Sequence, residues 1–182
     1  MEYKEEEIMA QLHDPATAYS AFSAVVKEYS EQLYWQIRRM VTDHDDANDL
    51  LQNTFLKAWF GLENFRGDSR LSTWLYRIAF NECLTFLSRK RSEKTIPIDS
   101  DEYSEANNLE SDPYFNGDRA QQLLQEAIET LPAKQRMVFT MKYFEEKKYE
   151  EISEIVGTTV GALKASYFHA VRKIEKYIEE RL

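Results

Sequence analysis

Residues 93–118 read EKTIPIDSDEYSEANNLESDPYFNGD, and this stretch constrains the fold more than any other. It holds two prolines, eight acids and a single lysine, with no apolar period. A segment this polar cannot bury enough surface to offset the entropy of ordering it. It is expected as an extended acidic linker that divides the 182-residue chain into two runs, 1–92 and 119–182. Each run is long enough for one small core.

The formal charge of −9 follows this division: −3 in the first run, −7 in the linker and +1 in the second. Such an acidic chain is not a simple non-specific nucleic-acid binder. Cys83 is the sole cysteine, so an internal disulfide and a Cys-rich zinc site are both excluded. The N-terminal MEYKEEEIMAQ lacks the apolar centre of a signal peptide. No apolar run approaches the roughly 18 residues that span a bilayer. A cytoplasmic protein without membrane insertion is expected.

Apolar residues recur at helical spacing throughout both runs, and no segment alternates as a strand would. Phe22, Val26, Tyr29, Leu33, Ile37 and Met40 define one long helix. TDHDD places acids at the positive start of a second, which carries Ala47, Leu50, Leu51, Phe55, Ala58 and Trp59 and stops near Gly61. LENFRGDS is a loop turning at Gly67 and Asp68. A third helix opens with RLSTWLYRIAFN and ends near the basic RKR of 89–91. In the second run, Leu124, Ala127, Ile128 and Leu131 share a face, and Pro132 suits a first helical position. Val138, Met141 and Phe144 form the apolar side of the next helix. Ile152, Ile155 and Val156 form a short helix, Gly157 a turn, and Thr158 or Thr159 caps a final helix burying Leu163, Tyr167, Ala170, Ile174 and Ile178. Short helix, glycine turn and longer helix make a helix-turn-helix. The fold class is all-α, in two small helical domains.

The final helix leaves Lys164, Ser166, His169, Arg172 and Lys173 for solvent or for the edges and phosphates of DNA. Asp45, Asp46 and Asp49 have the spacing of a magnesium–diphosphate site. They have no second acidic cluster to complete it, so acids at a helix start, or an acidic face for a basic partner with Gln52 and Asn53, explain them better. His13, His44 and His169 lack metal-ligand spacing, Cys83 lacks a nucleophile's setting, and no glycine loop could cradle a phosphate. Neither an enzyme, a metal nor a cofactor is expected. The third helix has two stripes. Leu71, Trp74, Leu75, Ile78 and Ala79 suit a core. Thr73, Tyr76, Arg77, Phe80 and Asn81 mix aromatics with arginine and amide, which suits either more core or a surface that stacks and holds unpaired bases.

NFRGDSRLSTWLYRIAFNECLTFLSRKR resembles region 2 of the sigma-70 family in its extracytoplasmic-function (ECF) group, DANDLLQNTFLKAW the helix preceding it, and LPAKQRMVFTMKYFEEKKYEEISEIVGTTVGALKASYFHAVRKI region 4. The resemblance covers nearly the whole chain. It implies a non-enzymatic sigma factor that binds core RNA polymerase, recognises promoter DNA and melts it. It places a region 2 domain at 1–92 and a region 4 helix-turn-helix domain at 119–182. The implied contacts with the partly single-stranded −10 element are Phe65, Arg66, Gly67, Asp68, Ser69, Thr73, Trp74, Tyr76, Arg77, Asn81, Arg89 and Lys90. Those with the −35 element are Thr159, Lys164, Ser166, Tyr167, His169, Arg172 and Lys173. Asp46, Asp49, Leu50, Gln52, Asn53, Phe55 and Trp59 would dock on the clamp of the largest polymerase subunit, and region 4 on the flap. The acidic linker would thread polymerase channels as a mimic of nucleic acid. An anti-sigma factor is the implied regulator. GALKASYFHAV departs from the family's GTVKSRLHRAR: Lys164 is kept, but Ser166, His169 and Val171 stand at common basic positions. Two other readings are weaker. A stand-alone helix-turn-helix regulator leaves Trp74 and the first run unexplained, and a protein-interaction scaffold leaves the −10-like motif unexplained.

Overall fold

The computed structural model describes residues 2–95 and 118–182, and these are helical with no strand among them. The expected linker falls almost wholly on 96–117, outside the described residues. The helices are α1 (Glu2–His13), α2 (Ala18–Met40), α3 (His44–Gly61), α4 (Leu71–Thr95), α5 (Arg119–Glu129), α6 (Ala133–Tyr143), α7 (Tyr149–Val156) and α8 (Val160–Glu179). A 3₁₀ turn at Leu62–Asn64 follows α3.

Local chemistry sets most boundaries. The Asp43 carboxylate accepts from the Asp45 and Asp46 N–H groups at 2.8 and 3.0 Å and starts α3. Asp118 does the same for α5 through Ala120 N–H at 3.1 Å. Gly157 ends α7 at φ 73°, a left-handed conformation that glycine adopts without a side-chain clash. Of the two candidate threonines, Thr159 caps α8, accepting from Ala162 N–H at 3.3 Å. Pro132 is the cap of α6 rather than its first helical residue, with ψ 144°. In α5 the deeply buried leucine is Leu123, with Leu124 half-buried. Helix α4 continues through Thr95, three residues into the segment assigned to the linker.

The two halves share a core. Leu33, Ile37 and Met40 of α2 and Leu75, Phe80 and Cys83 of α4 belong to one buried cluster with Met137, Val138 and Met141 of α6 and Ile152 and Ile155 of α7. The second half adds a smaller cluster of its own, built on Ile128, Leu131, Phe139, Ala170 and Ile174. Polar contacts cross the same seam. The Gln36 amide donates to Thr140 Oγ1 at 3.2 Å, Arg136 Nη1 donates to the Met40 carbonyl at 2.6 Å, and the Arg39 guanidinium lies 4.4 Å from the Phe144 ring centre.

Candidate nucleic-acid interface

The loop between the 3₁₀ turn and α4 carries the FRGDS motif. Phe65 is buried and stacks on Trp74, with ring centres 4.4 Å apart and planes 16° from parallel. Gly61 permits this arrangement, because a Cβ there would stand 3.2 Å from Cζ2 of Trp74. Arg66, Gly67, Asp68 and Arg70 are exposed, and Gly67 turns the chain at φ 77°. An open groove of about 360 Å³ follows, lined by Lys57, Asn64, Phe65, Trp74, Asn81 and Glu82 among others. Lys57 donates to Glu82 across its rim. Aromatic walls with amide and charged groups at the edge suit stacking and edge recognition of a base.

Helix α4 departs from the expected two stripes. Trp74, placed in the core by its spacing, is only half-buried and borders the groove. Thr73 and Tyr76, expected on the open face, are 6% and 3% exposed. Phe80 is buried in the shared core, at 5%. The physical cause is the second half of the chain, which packs against this side of α4. Tyr76 Oη donates to Glu145 Oε2 at 2.9 Å, and the Lys147 ammonium lies 4.2 Å from the Tyr76 ring centre. Arg77 is exposed, yet its Nε donates to the Glu154 carbonyl at 2.7 Å. Asn81 stays exposed. Burial, reinforced by the neighbouring Glu145 carboxylate, pushes the Tyr76 hydroxyl far above its ordinary range. Burial also raises the Glu145 carboxyl, against the opposing pull of Lys147 at 3.3 Å. Farther along α4, Arg89 is exposed and Lys90 pairs with Asp46 at 3.4 Å.

On α8, Lys164, His169, Arg172 and Lys173 are exposed together, while Ser166 is half-buried. Tyr167 turns inward and stacks on Phe139 at 5.8 Å, and Thr159 is engaged as the cap. Phe168, absent from the expected contacts, is 58% exposed. On α3, Leu50 and Phe55 are core residues at 5% and 8% exposure, so they are not available to a partner. Asp49, Gln52 and Asn53 are exposed, and Trp59 is half-buried. The same face adds Leu56 and Phe60, at 55% and 76% exposure, which are not among the expected contacts. Their spacing of four, out of phase with Ala47, Leu50 and Ala58, is the signal that marks them as outward.

Residues 25–93 match the family description "Sigma-70 region 2", and residues 121–174 match "Sigma-70, region 4". The chain is 31% identical over 170 residues to the RNA polymerase sigma-H factor of Pseudomonas aeruginosa, covering 89% of this chain and 88% of that one. The ECF RNA polymerase sigma-E factor of Escherichia coli K12 is also 31% identical over 170 residues, with 87% of each chain covered. The chain belongs to the extracytoplasmic-function group of the sigma-70 family. The fold is that of the sigma factor RpoE solved with the anti-sigma factor NepR from Bartonella quintana, at TM-score 0.67, 23% identity and coverage of 87% and 96%. It is equally that of CnrH solved with the cytosolic domain of CnrY, at TM-score 0.71, 20% identity and 97% coverage of both chains. As a sigma factor the protein is a transcription-initiation subunit and not an enzyme. None of its described helices is long and apolar enough to cross a membrane.

Proposed function

We propose that residues 1–92 form the −10-reading and core-binding domain of this sigma factor, and 119–182 its −35-reading domain. The observation that carries the −10 assignment is the exposed run of Arg66, Gly67, Asp68 and Arg70 set beside the Trp74–Asn81 groove. Arg66 and Arg70 would meet phosphate, Phe65 and Trp74 would shape the slot, and Asn81 would hold a base edge. Lys164, His169, Arg172 and Lys173 would face the major groove from α8. Asp49, Gln52 and Asn53, with Leu56 and Phe60, would dock on the polymerase clamp.

The packing of the halves bears directly on this reading. Tyr76 and Arg77 are both engaged by the second half. They reach DNA only when the halves separate, as binding to core would require. The solved relatives in complex with anti-sigma factors support control of this chain by such a partner, and its place of action as the cytoplasm. The test is transcription from supercoiled DNA by purified core polymerase with and without the protein. Promoter-specific transcripts that depend on the protein are expected. Promoter DNA binding by the protein alone, without specific transcripts, would refute the reading.

A further inference from the structure

Helix α1 precedes the segment that matches region 2, and its polar contacts converge on the promoter-reading loop. The loop's entrance is Phe65, whose carbonyl faces Nε2 of His13 at 3.1 Å, from 52 residues away in sequence. The loop's exit is Leu71, whose N–H donates to Oε1 of Glu5, 66 residues away. A groove of about 720 Å³ lies between α1 and the loop, with Glu5, Glu6 and His13 on one side and Arg66, Ser69 and Arg70 on the other.

These two contacts supply what the loop lacks locally. The first turn of a helix leaves its N–H groups without intrahelical partners. The residue before α4 is Arg70, whose side chain has donors only and cannot cap. The Glu5 carboxylate takes that role from another helix, with a charge suited to the positive end of α4. At the other end, a carbonyl oxygen only accepts, so His13 must donate through Nε2 to hold Phe65. Its Nδ1 faces a second carbonyl, that of Met9, at 2.8 Å. Apolar packing holds α1 as well: Leu12 is buried in the shared core, and half-buried Ile8 and Met9 pack against it.

We infer that α1 is a splint for the promoter-reading loop, and that Glu5 and His13 are positioning residues for −10 base discrimination that do not touch DNA. The inference rests on the proposed −10 role of that loop. Between its pinned ends, the loop presents Arg66 to Arg70 in one fixed path rather than several, and selection among bases depends on that path.

The test uses the full chain in reconstituted holoenzyme on a promoter chosen from the transcripts of the unaltered protein. That promoter is compared with versions substituted at single −10 positions. The variants are Glu5→Ala with His13→Ala, and Glu5→Gln with His13→Gln, since glutamine offers an acceptor at the first position and a donor at the second. The alanine pair should lose about tenfold in discrimination, the scale of one mismatched base pair. Its affinity for core should be kept, and the glutamine pair should recover discrimination. Full discrimination by the alanine pair overturns the inference. So does a loss that affects all promoters equally and accompanies weaker core binding or lower helix content. Amide exchange over 66–71 in the free protein is read in parallel. It should accelerate in the alanine pair, and unchanged exchange overturns the inference whatever the transcripts show. If the unaltered holoenzyme makes no promoter-specific transcript, the −10 reading itself fails and the inference with it, even where exchange responds.

Discussion

The contact between Tyr76 and Glu145 should control how readily the two halves part. Glu145→Ala removes the acceptor of the Tyr76 hydroxyl, which is buried with its ring at 3% exposure. It also removes the carboxylate 3.3 Å from the Lys147 ammonium. An unsatisfied buried hydroxyl costs about 1–3 kcal/mol. That cost falls on the closed arrangement alone, because separation returns the hydroxyl to water. At about 1.4 kcal/mol per tenfold, the equilibrium should shift toward separation by roughly 5- to 150-fold. Glu145→Gln should act in the opposite direction. It keeps an acceptor for Tyr76 and removes a charge that burial disfavours. The raised Glu145 carboxyl fixes the sign for folding: the folded chain holds this proton more tightly than the unfolded one. Its contribution is present below the ordinary carboxylate value of about 4.3 and is lost as pH rises through the raised value. Glu145→Gln should abolish that part of the pH dependence of stability. Energy transfer between dyes on cysteines placed at Ala24 of α2 and Glu175 of α8, both exposed, reads the separation. The native Cys83 should not be labelled, since it is 1% exposed and burial pushes its thiol up to about 12. Folded Glu145→Ala protein with an unchanged distance distribution would refute the reasoning, as would closure by both variants.

Trp74→Ala should lower stability by about 2–4 kcal/mol in denaturant titration, near the lower part of the range for buried aromatics, because the ring is only half-buried. It should also unseat Phe65, its stacking partner at 4.4 Å, so open-complex formation should fall further than stability explains. Gly157→Ala meets no steric neighbour but must hold φ 73°, and should cost about 1–2 kcal/mol in thermal unfolding. Leu56→Ser with Phe60→Ser should leave the melting temperature within a few degrees of its original value, because both side chains are exposed, while weakening core polymerase at least tenfold in a binding titration.

The local level of this fold was legible. Periodicity located α2, α3, α4 and α8, because an amphipathic stripe follows from side-chain spacing on one helix. Gly157 and the threonine pair that follows it announced the helix-turn-helix because their roles depend on neighbours in sequence. The FRGDS loop was legible for the same reason: Gly67 makes the turn, and Arg66 and Asp68 beside it stay in water.

Faces of helices were another matter. Spacing separated Trp74 from Tyr76 but could not assign which side met the larger partner, and the assignment was reversed in part. Tyr76 is sealed by Glu145 and Lys147, which lie across the acidic segment in sequence, and Trp74 opens onto the groove because Gly61 lets its ring approach the end of α3 closely. Leu50 and Phe55 read as candidates for a partner because apolar side chains serve cores and interfaces alike, and only the packing of α2 and α4 around them separates the two uses. The Glu5 cap of α4 and the His13 contact with Phe65 left no local signal, because each joins residues more than fifty positions apart. By itself, the sequence determined that α2, α3, α4 and the helix-turn-helix are helical, and the family to which the chain belongs, since those depend on short-range chemistry and motif. Tertiary structure alone decided which helix faces are open to DNA or polymerase, because exposure depends on what else the chain brings to the same place.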